Sequence, residues 1–194
     1  MVKFKCTLCG VCCGQYWVPV THLDVWRILH YGGYDTQGFL ILYRADSYKS
    51  SFPKVSLWDG EGYLGLKRFP DGFCVFNKNK ICIVHQFKPL TCRFYPFIYV
   101  TSNGRVTNIE VNKSAVKVCP GLIYDNDYID PETYNSLVRL AEIRMTERSL
   151  YAEAVREWSS EYRGRGFFKK LLDFLIEKAE DDANILMRRG LWIK

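Results

Sequence analysis

The chain has 194 residues, of which 48% are hydrophobic, 25% charged and 15% aromatic, values that exclude a disordered, collagenous or low-complexity chain and allow a sizeable core. Its longest stretch without Asp, Glu, Lys or Arg, Cys6 to Leu23, holds four Cys, two Gly and a Pro, so it is no bilayer span, and no apolar segment precedes the first cysteine as in a secretory signal. Net charge is +6, all of it in residues 1–128, which carry 15 Lys and Arg against 9 Asp and Glu; that is too mild and too scattered for a dedicated nucleic-acid binder.

The first 20 residues read as an irregular loop wound around cysteines. Thr21 with Asp24 three residues on forms a capping-box variant that opens a helix over 22–31, and Gly32-Gly33 stops it. Phe39 to Tyr43 reads as a strand or a buried helical turn. Residues 54–112 read as antiparallel β structure. Tyr63 to Arg68 alternates weakly. Phe73–Phe76 and Lys80–Val84 flank an Asn77-Lys78-Asn79 turn, and Pro96–Thr101 and Arg105–Val111 flank a stronger turn at Ser102-Asn103-Gly104. Asp130-Pro131-Glu132 is a helix start. Helices are expected over 131–147, 149–162 and 167–188, with Gly164 and Gly166 between the last two. The apolar stripe Phe168, Leu171, Leu172, Leu175, Ile176 and Ala179 has Leu137, Leu140 and Ile143 as its expected facing stripe. The predicted class is α+β: a small irregular and antiparallel β cysteine-cluster core with a short N-terminal helix, residues 1–127, and a C-terminal helical layer packed on it, residues 128–194.

All eight cysteines precede residue 120: Cys6, Cys9, Cys12, Cys13, Cys74, Cys82, Cys92 and Cys119. In Cys6-x2-Cys9-x2-Cys12-Cys13 the three-residue spacing lets a loop turn its sulfurs toward one ion or cluster, whereas such near neighbours make poor disulfide partners. Gly10 and Gly14 allow tight turning and amide N–H groups aimed at sulfur. The Cys12 and Cys13 side chains are expected to diverge toward different sites. Three cysteines at this spacing with a remote Cys119-Pro120 match in outline the ferredoxin way of holding a 4Fe–4S cluster. One division gives Cys6, Cys9, Cys12 and Cys119 to one centre and Cys13, Cys74, Cys82 and Cys92 to another; a single centre with spare cysteines stays open. So does a disulfide framework, since thermophilic cytosolic proteins carry them and only three Gln beside abundant Tyr, Ile and Val suit such a source.

These residues resemble the CxxCxxCC cysteine-cluster family, often called YkgJ-type. The resemblance runs over about residues 4–121 and extends to Cys82-Ile-Val-His85-Gln-Phe-Lys88-Pro89-Leu-Thr-Cys92-Arg93-Phe-Tyr95-Pro96-Phe97, to Phe73-Cys74, to Cys119-Pro120 and to Asp24-Val-Trp-Arg27-Ile28. His85 and Lys88 stand where the family usually has Tyr and Arg. The resemblance implies zinc or iron chelation by the cysteines, or an iron–sulfur cluster. It also extends to the cysteine-rich part of flagellin lysine-N-methylases.

Arg93, beside Cys92, is a candidate cluster-binding residue, through a sulfur, or else a structural partner of a carboxylate. His85 is a candidate ligand or proton shuttle, or a satisfied imidazole. No Walker loop, GxGxxG, HExxH or Ser-His-Asp pattern is present, and no catalytic residue stands out. Three functions fit. The first is a cytoplasmic iron–sulfur protein with a structural or redox-active cluster, partnered by another protein or redox carrier. The second is a zinc-stabilised module binding RNA or a ribonucleoprotein, and the third an iron–sulfur-dependent protein-modifying enzyme. None calls for a membrane.

Overall fold

The structure, a computed structural model, describes all residues from Met1 to Lys194. The fold is α+β, built from small antiparallel sheets and seven helices. The N-terminal strand β1 (Val2–Phe4) pairs with β9 (Leu122–Tyr124), so both ends of the cysteine-bearing segment are fastened together. A Cβ on Gly121 would run into the Lys5 carbonyl oxygen, which leaves that crossing to glycine. Between these strands the chain forms α1 (Val11–Gln15), α2 (His22–Gly32), α3 (Thr36–Phe39), β2 (Leu40–Arg44), β3 (Val55–Leu57) and β4 (Gly60–Leu66). Strands β2, β4 and β3 make one sheet, in that order. Then follow β5 (Asn77–Lys78), β6 (Ile81–Cys82), a 3-10 turn (His85–Phe87), α4 (Leu90–Phe94), the hairpin β7 (Phe97–Ser102) and β8 (Arg105–Val111), and α5 (Lys113–Val116). The chain closes with α6 (Pro131–Tyr162) and α7 (Phe168–Arg188).

Several sequence expectations hold. Thr21 and Asp24 form a full capping box on α2, and Gly33 ends it in the left-handed region at φ 66°. Asn103-Gly104 turns the β7–β8 hairpin. Others are corrected. The N-terminal loop contains β1 and the short helix α1. The 73–84 hairpin shrinks to two residues per strand, paired Asn77 with Cys82 and Lys78 with Ile81, and turns on Asn79-Lys80, both at positive φ. Cys74 therefore lies before the hairpin, in an isolated bridge to Arg68. The stretch read as continuous β structure also includes α4, which carries Cys92. The two helices expected over 131–147 and 149–162 are one 32-residue helix, because neither Gly nor Pro interrupts them. In consequence α7 does not face Leu137, Leu140 and Ile143. An antiparallel α7 meets the second half of α6, and Leu171, Leu172 and Leu175 share a core with Tyr151, Ala154, Val155 and Trp158.

Two apolar cores flank the cysteines. The larger joins the β2–β4–β3 sheet, the 74–84 segment and the α6–α7 corner. The smaller joins β1, the β7–β8 hairpin and β9 to the first half of α6 through Leu137 and Ala141. Helix α2 is held to α7 by His22 Nε2 at 2.8 Å from Asp182 and by the Trp26 indole N–H donating to Glu180 at 2.6 Å.

Between α2 and α6 lies a buried charge network. Arg27 is fully buried, and its guanidinium donates to both Glu147 carboxylate oxygens, to Asp24 Oδ1 at 3.5 Å and, through Nε, to the Ile193 carbonyl at 2.5 Å. The Trp192 ring covers it at 4.1 Å. Burial lifts the Glu147 carboxyl to about 7 against the pull of Arg27. Removing one partner strands the other charge in the interior. Glu147→Gln is expected to lower stability by about 3–5 kcal/mol in urea unfolding, and Arg27→Met with Glu147→Leu to recover most of that loss. A single variant as stable as the parent would show that water already reaches the pair.

Candidate metal centre

The eight cysteines come from five short segments. Cys6 and Cys9 lie in the loop after β1. Gly10, at φ 72°, opens α1, which carries Cys12 and Cys13; the Cys13 N–H returns to the Gly10 carbonyl at 3.0 Å. Cys74 is bound to this turn directly, its N–H donating to the Cys13 carbonyl at 3.0 Å. Arg68 braces the same junction by donating to the carbonyls of Gly14 and Gly72, each at 2.5 Å. Cys82 lies on β6, Cys92 on α4, and Cys119 after α5 with its N–H bonded to Ala115 at 2.8 Å. The Leu90 N–H at the start of α4 donates to Asp24 Oδ1 at 2.9 Å, so the buried charge network positions the helix that carries Cys92.

All eight line one cavity of about 320 Å³ at the seam between the two cores, and no Asp or Glu lines it. Cys74 belongs to the larger core; Cys13, Cys82 and Cys92 pack against it, and Cys119 packs against the smaller. Electrostatic neighbours follow this division only in part, since Cys82 feels Cys6 as well as Cys13. Cys92 feels Cys74, Cys82 and Cys13, whereas Cys119 feels Cys9 and Cys6. Cys12 stands between the sets, beside Cys13, Cys92 and Cys6. Cys6 is exposed and Cys74 buried, and the other six are half-buried. No three Cys, His, Asp or Glu side chains already converge on one metal-binding point.

Burial pushes the Cys74 thiol up to about 12 and raises Cys82, Cys92 and Cys119. Nearby backbone N–H groups pull the other way: that of Phe76 favours the Cys74 thiolate, that of Val84 the Cys82 thiolate, and those of Gly121 and Leu122 the Cys119 thiolate. These three cysteines thus have an N–H two residues downstream that favours the thiolate. The side chains of Cys12 and Cys13 do not diverge as expected. They lie beside each other, and this proximity lowers Cys13 to about 6 and raises Cys12. The donors near sulfur are also not those of Gly10 and Gly14. The Gly10 requirement is steric: a Cβ there would stand 2.5 Å from Asn77 Nδ2 and 2.9 Å from the Lys80 carbonyl.

Around the thiols stand Lys88, His85 and Arg144. Lys88 Nζ lies 3.1 Å from His85 Nε2, and burial, then Lys88, then Arg93 keep His85 below its usual range. An imidazole accepting from Lys88 at Nε2 is neutral there. Arg93 donates to the carbonyls of Lys88 at 3.1 Å, Gln86 at 2.6 Å and Lys194, so its bonds run to backbone oxygens rather than to a sulfur or a carboxylate side chain. Sequence reasoning gave neither Asn77 nor the Tyr95 hydroxyl a polar role at the site, although Tyr95 belongs to the matched motif. The Asn77 amide favours the Cys13 thiolate but falls short of a formed hydrogen bond, since its buried Nδ2 has no partner; the Tyr95 hydroxyl, near Cys119, Cys12 and Cys9, is likewise buried and unpartnered. The NKN turn signal contained Asn77 but gave it only a turn role.

This donor set fits a soft metal or an iron–sulfur centre. Sulfur is plentiful, carboxylate oxygen is absent, nearby cations offset thiolate charge, and two buried polar groups await a partner.

Because Gly10 combines positive φ with close approach to the β5–β6 turn, Gly10→Ala is expected to lower the melting temperature and to displace α1. Faster alkylation of Cys12 and Cys13 in the variant is the accompanying readout. An unchanged melting temperature and unchanged alkylation would show the turn to be pliable.

Comparison with known proteins agrees with this chemistry. An uncharacterized protein of Methanocaldococcus jannaschii, MJ0661, is 25% identical over 135 residues, which is 69% of this chain and 65% of that relative, so the chain spans less than two thirds of its length. No solved structure matches. No helix is long and apolar enough to cross a membrane. Residues 5–120, more than half of the chain, match the family model described as "CxxCxxCC: Putative zinc- or iron-chelating domain". The chain belongs to the CxxCxxCC family.

Proposed function

We propose that the protein is an iron–sulfur protein with two thiolate-held centres. Cys13, Cys74, Cys82 and Cys92 hold the inner one and Cys6, Cys9, Cys12 and Cys119 the outer one. The observation that carries this reading is the convergence of all eight thiols on one carboxylate-free cavity, with buried Cys74 at one extreme and exposed Cys6 at the other. In this reading residues 1–127 are the metal-binding part and residues 128–194 its helical support, because Tyr151 and Trp158 of α6 and Leu171 of α7 complete the core under the inner set. Thiolate centres of this kind belong in a reducing compartment, which favours the cytoplasm. When bound, the centre supplies either a cross-link between segments or a site for electron transfer. The chain's own residues exclude water from the inner sulfurs, offset their charge through Lys88, and orient Cys92 through Asp24.

Anaerobic purification with iron, zinc and acid-labile sulfide analysis tests the reading. Iron and sulfide with visible thiolate-to-iron absorption are expected; a colourless protein with stoichiometric zinc would replace it by the zinc module. Cys92→Ser is expected to lose the inner centre's share of the metal, and Cys6→Ser and Cys9→Ser the outer share, since oxygen is a poor substitute for sulfur at a soft metal. Full metal in all three would overturn the assignment.

Metal should also be coupled to pH and to folding. The buried thiols lie above the ordinary thiol range and hold protons at neutral pH, so ligation must release them. Apparent metal affinity in chelator competition is therefore expected to fall as the solution is taken from mildly alkaline to mildly acidic. Metal removal under reducing conditions is expected to lower the melting temperature. An unchanged melting point would refute the cross-linking role.

A further inference from the structure

A second concave site lies behind the thiol cavity. Strand β7 runs between the two: Phe97 and Ile98 at its start line the thiol cavity, and Tyr99 and Thr101 further along line a groove of about 620 Å³. The loop before β3 and the middle of α6 form the remaining walls. The groove contains Lys54, Arg148 and Arg156, with hydroxyls from Tyr99, Thr101 and Ser149, and no Asp or Glu lines it.

The charges there are poorly neutralised, for a structural reason. Arg144 and Arg148 are one turn apart on α6, and the acid between them, Glu147, is turned into the interior by Arg27. Arg148 bonds only to the Ser51 carbonyl and lies over the Phe52 ring at 5.7 Å; it has no carboxylate within ion-pair distance. Arg144 reaches the Thr91 hydroxyl at 3.3 Å and packs over Phe94 and Tyr99. Lys54 and Arg156 have partners, Glu61 at 2.8 Å and Glu153 at 3.9 Å, but both pairs are exposed to solvent. Exposed pairs of this kind exchange partners readily. Aromatic faces hold the neighbouring arginines in place while leaving most of their N–H groups free.

Arginine N–H groups beside hydroxyl donors, in a concave site without acids, form a receptor for a tetrahedral oxyanion. The volume is that of a small-molecule site, and the Tyr99 ring and Met145 give it an apolar side. We infer that this groove binds a small phosphate monoester, with Arg148 as the principal phosphate contact and Ser149 beside it. The site stands on its own residues and does not depend on which metal the cysteines hold.

The test uses the full-length, metal-loaded protein and titrates adenosine monophosphate, with adenosine as the phosphate-free control, by calorimetry and by amide shifts in β7 and α6. Saturable binding of the monophosphate and none of adenosine is expected. Arg148→Gln should weaken it roughly tenfold or more, the loss of a charge-assisted hydrogen bond. Because Arg148 also holds the 51–52 loop, Ser149→Glu provides a second variant at an exposed position and should weaken binding comparably by placing an acid in the groove. Asn184→Asp makes the same change of net charge on an exposed α7 position outside the groove and should leave binding unchanged. Equal binding of adenosine, no binding of the monophosphate, or binding indifferent to both groove variants would each overturn the inference. So would binding of a single-stranded RNA oligonucleotide without binding of the monophosphate, which would make the groove a macromolecular contact instead.

Discussion

A guanidinium with no exposure to water must have its donors satisfied, and in this protein that demand organises the fold. Arg27 draws together α2, which carries it, α6 through Glu147, and the C-terminal residues through Ile193 and Trp192. Its neighbour Asp24 divides its oxygens, Oδ2 capping α2 at Thr21 and Oδ1 receiving the Leu90 N–H. Helix α4 has five residues and could not fold alone. Its direction, and with it that of Cys92, is fixed largely by a hydrogen bond to a carboxylate that is itself fixed. Apolar residues could fill the same volume, but they would not single out one orientation for α4. The network thus serves the site through geometry more than through net stabilisation.

The cysteine segments show the complementary constraint. None of the five has a hydrophobic face large enough to hold itself, and the cavity they share is a seam where two cores meet without merging. Desolvation in that seam raises Cys74, Cys82 and Cys92, so without a ligand those thiols keep their protons, whereas Cys13 beside them is lowered to about 6. Ligation by the proposed centres would reverse this: thiolates would replace thiols, backbone N–H groups at Phe76, Val84 and Gly121 would gain anionic neighbours, and all five segments would become cross-linked. The site's polar groups are arranged for its charged form, which explains why Asn77 and Tyr95 have no partner among protein atoms.

How much of this was legible in the sequence depended on the range of the interaction responsible. Local signals read well: the Thr21–Asp24 capping box, the Asn103-Gly104 hairpin, the Asp130-Pro131 helix start and the cysteine spacing are each settled within a few residues. The errors arose where a longer-range interaction decided. Phe73–Phe76 has strand-like residues, but it pairs with residues 67–69 through a single antiparallel bridge at Cys74, whose N–H goes to the Cys13 carbonyl, so the 80–84 arm never becomes its partner along its length. Helix α6 continues through residue 148 because Glu147 is committed to Arg27 and Tyr151 to the larger core, leaving no local reason to stop. The pairing of Arg27 with Glu147 spans 120 residues and carries no sequence signature. The side-chain contact between Cys12 and Cys13 likewise depended on the short helix that Gly10 opens.

Charge shows why counting by segment misleads. The sequence places the whole positive excess before residue 129 and leaves the remainder balanced, which makes the helical part look electrostatically bland. Balance along a chain is not balance on a surface. An acid that enters the interior to satisfy a buried arginine no longer neutralises its neighbours on the outer face of the helix. Glu147 does so, and Arg144 and Arg148 on either side of it are left facing aromatic rings and backbone carbonyls instead of carboxylates. The network that orients Cys92 from within, through Asp24, therefore also leaves a cationic face on the outside of α6, through Glu147. One buried arginine thus bears on both the thiol cavity and the groove behind it.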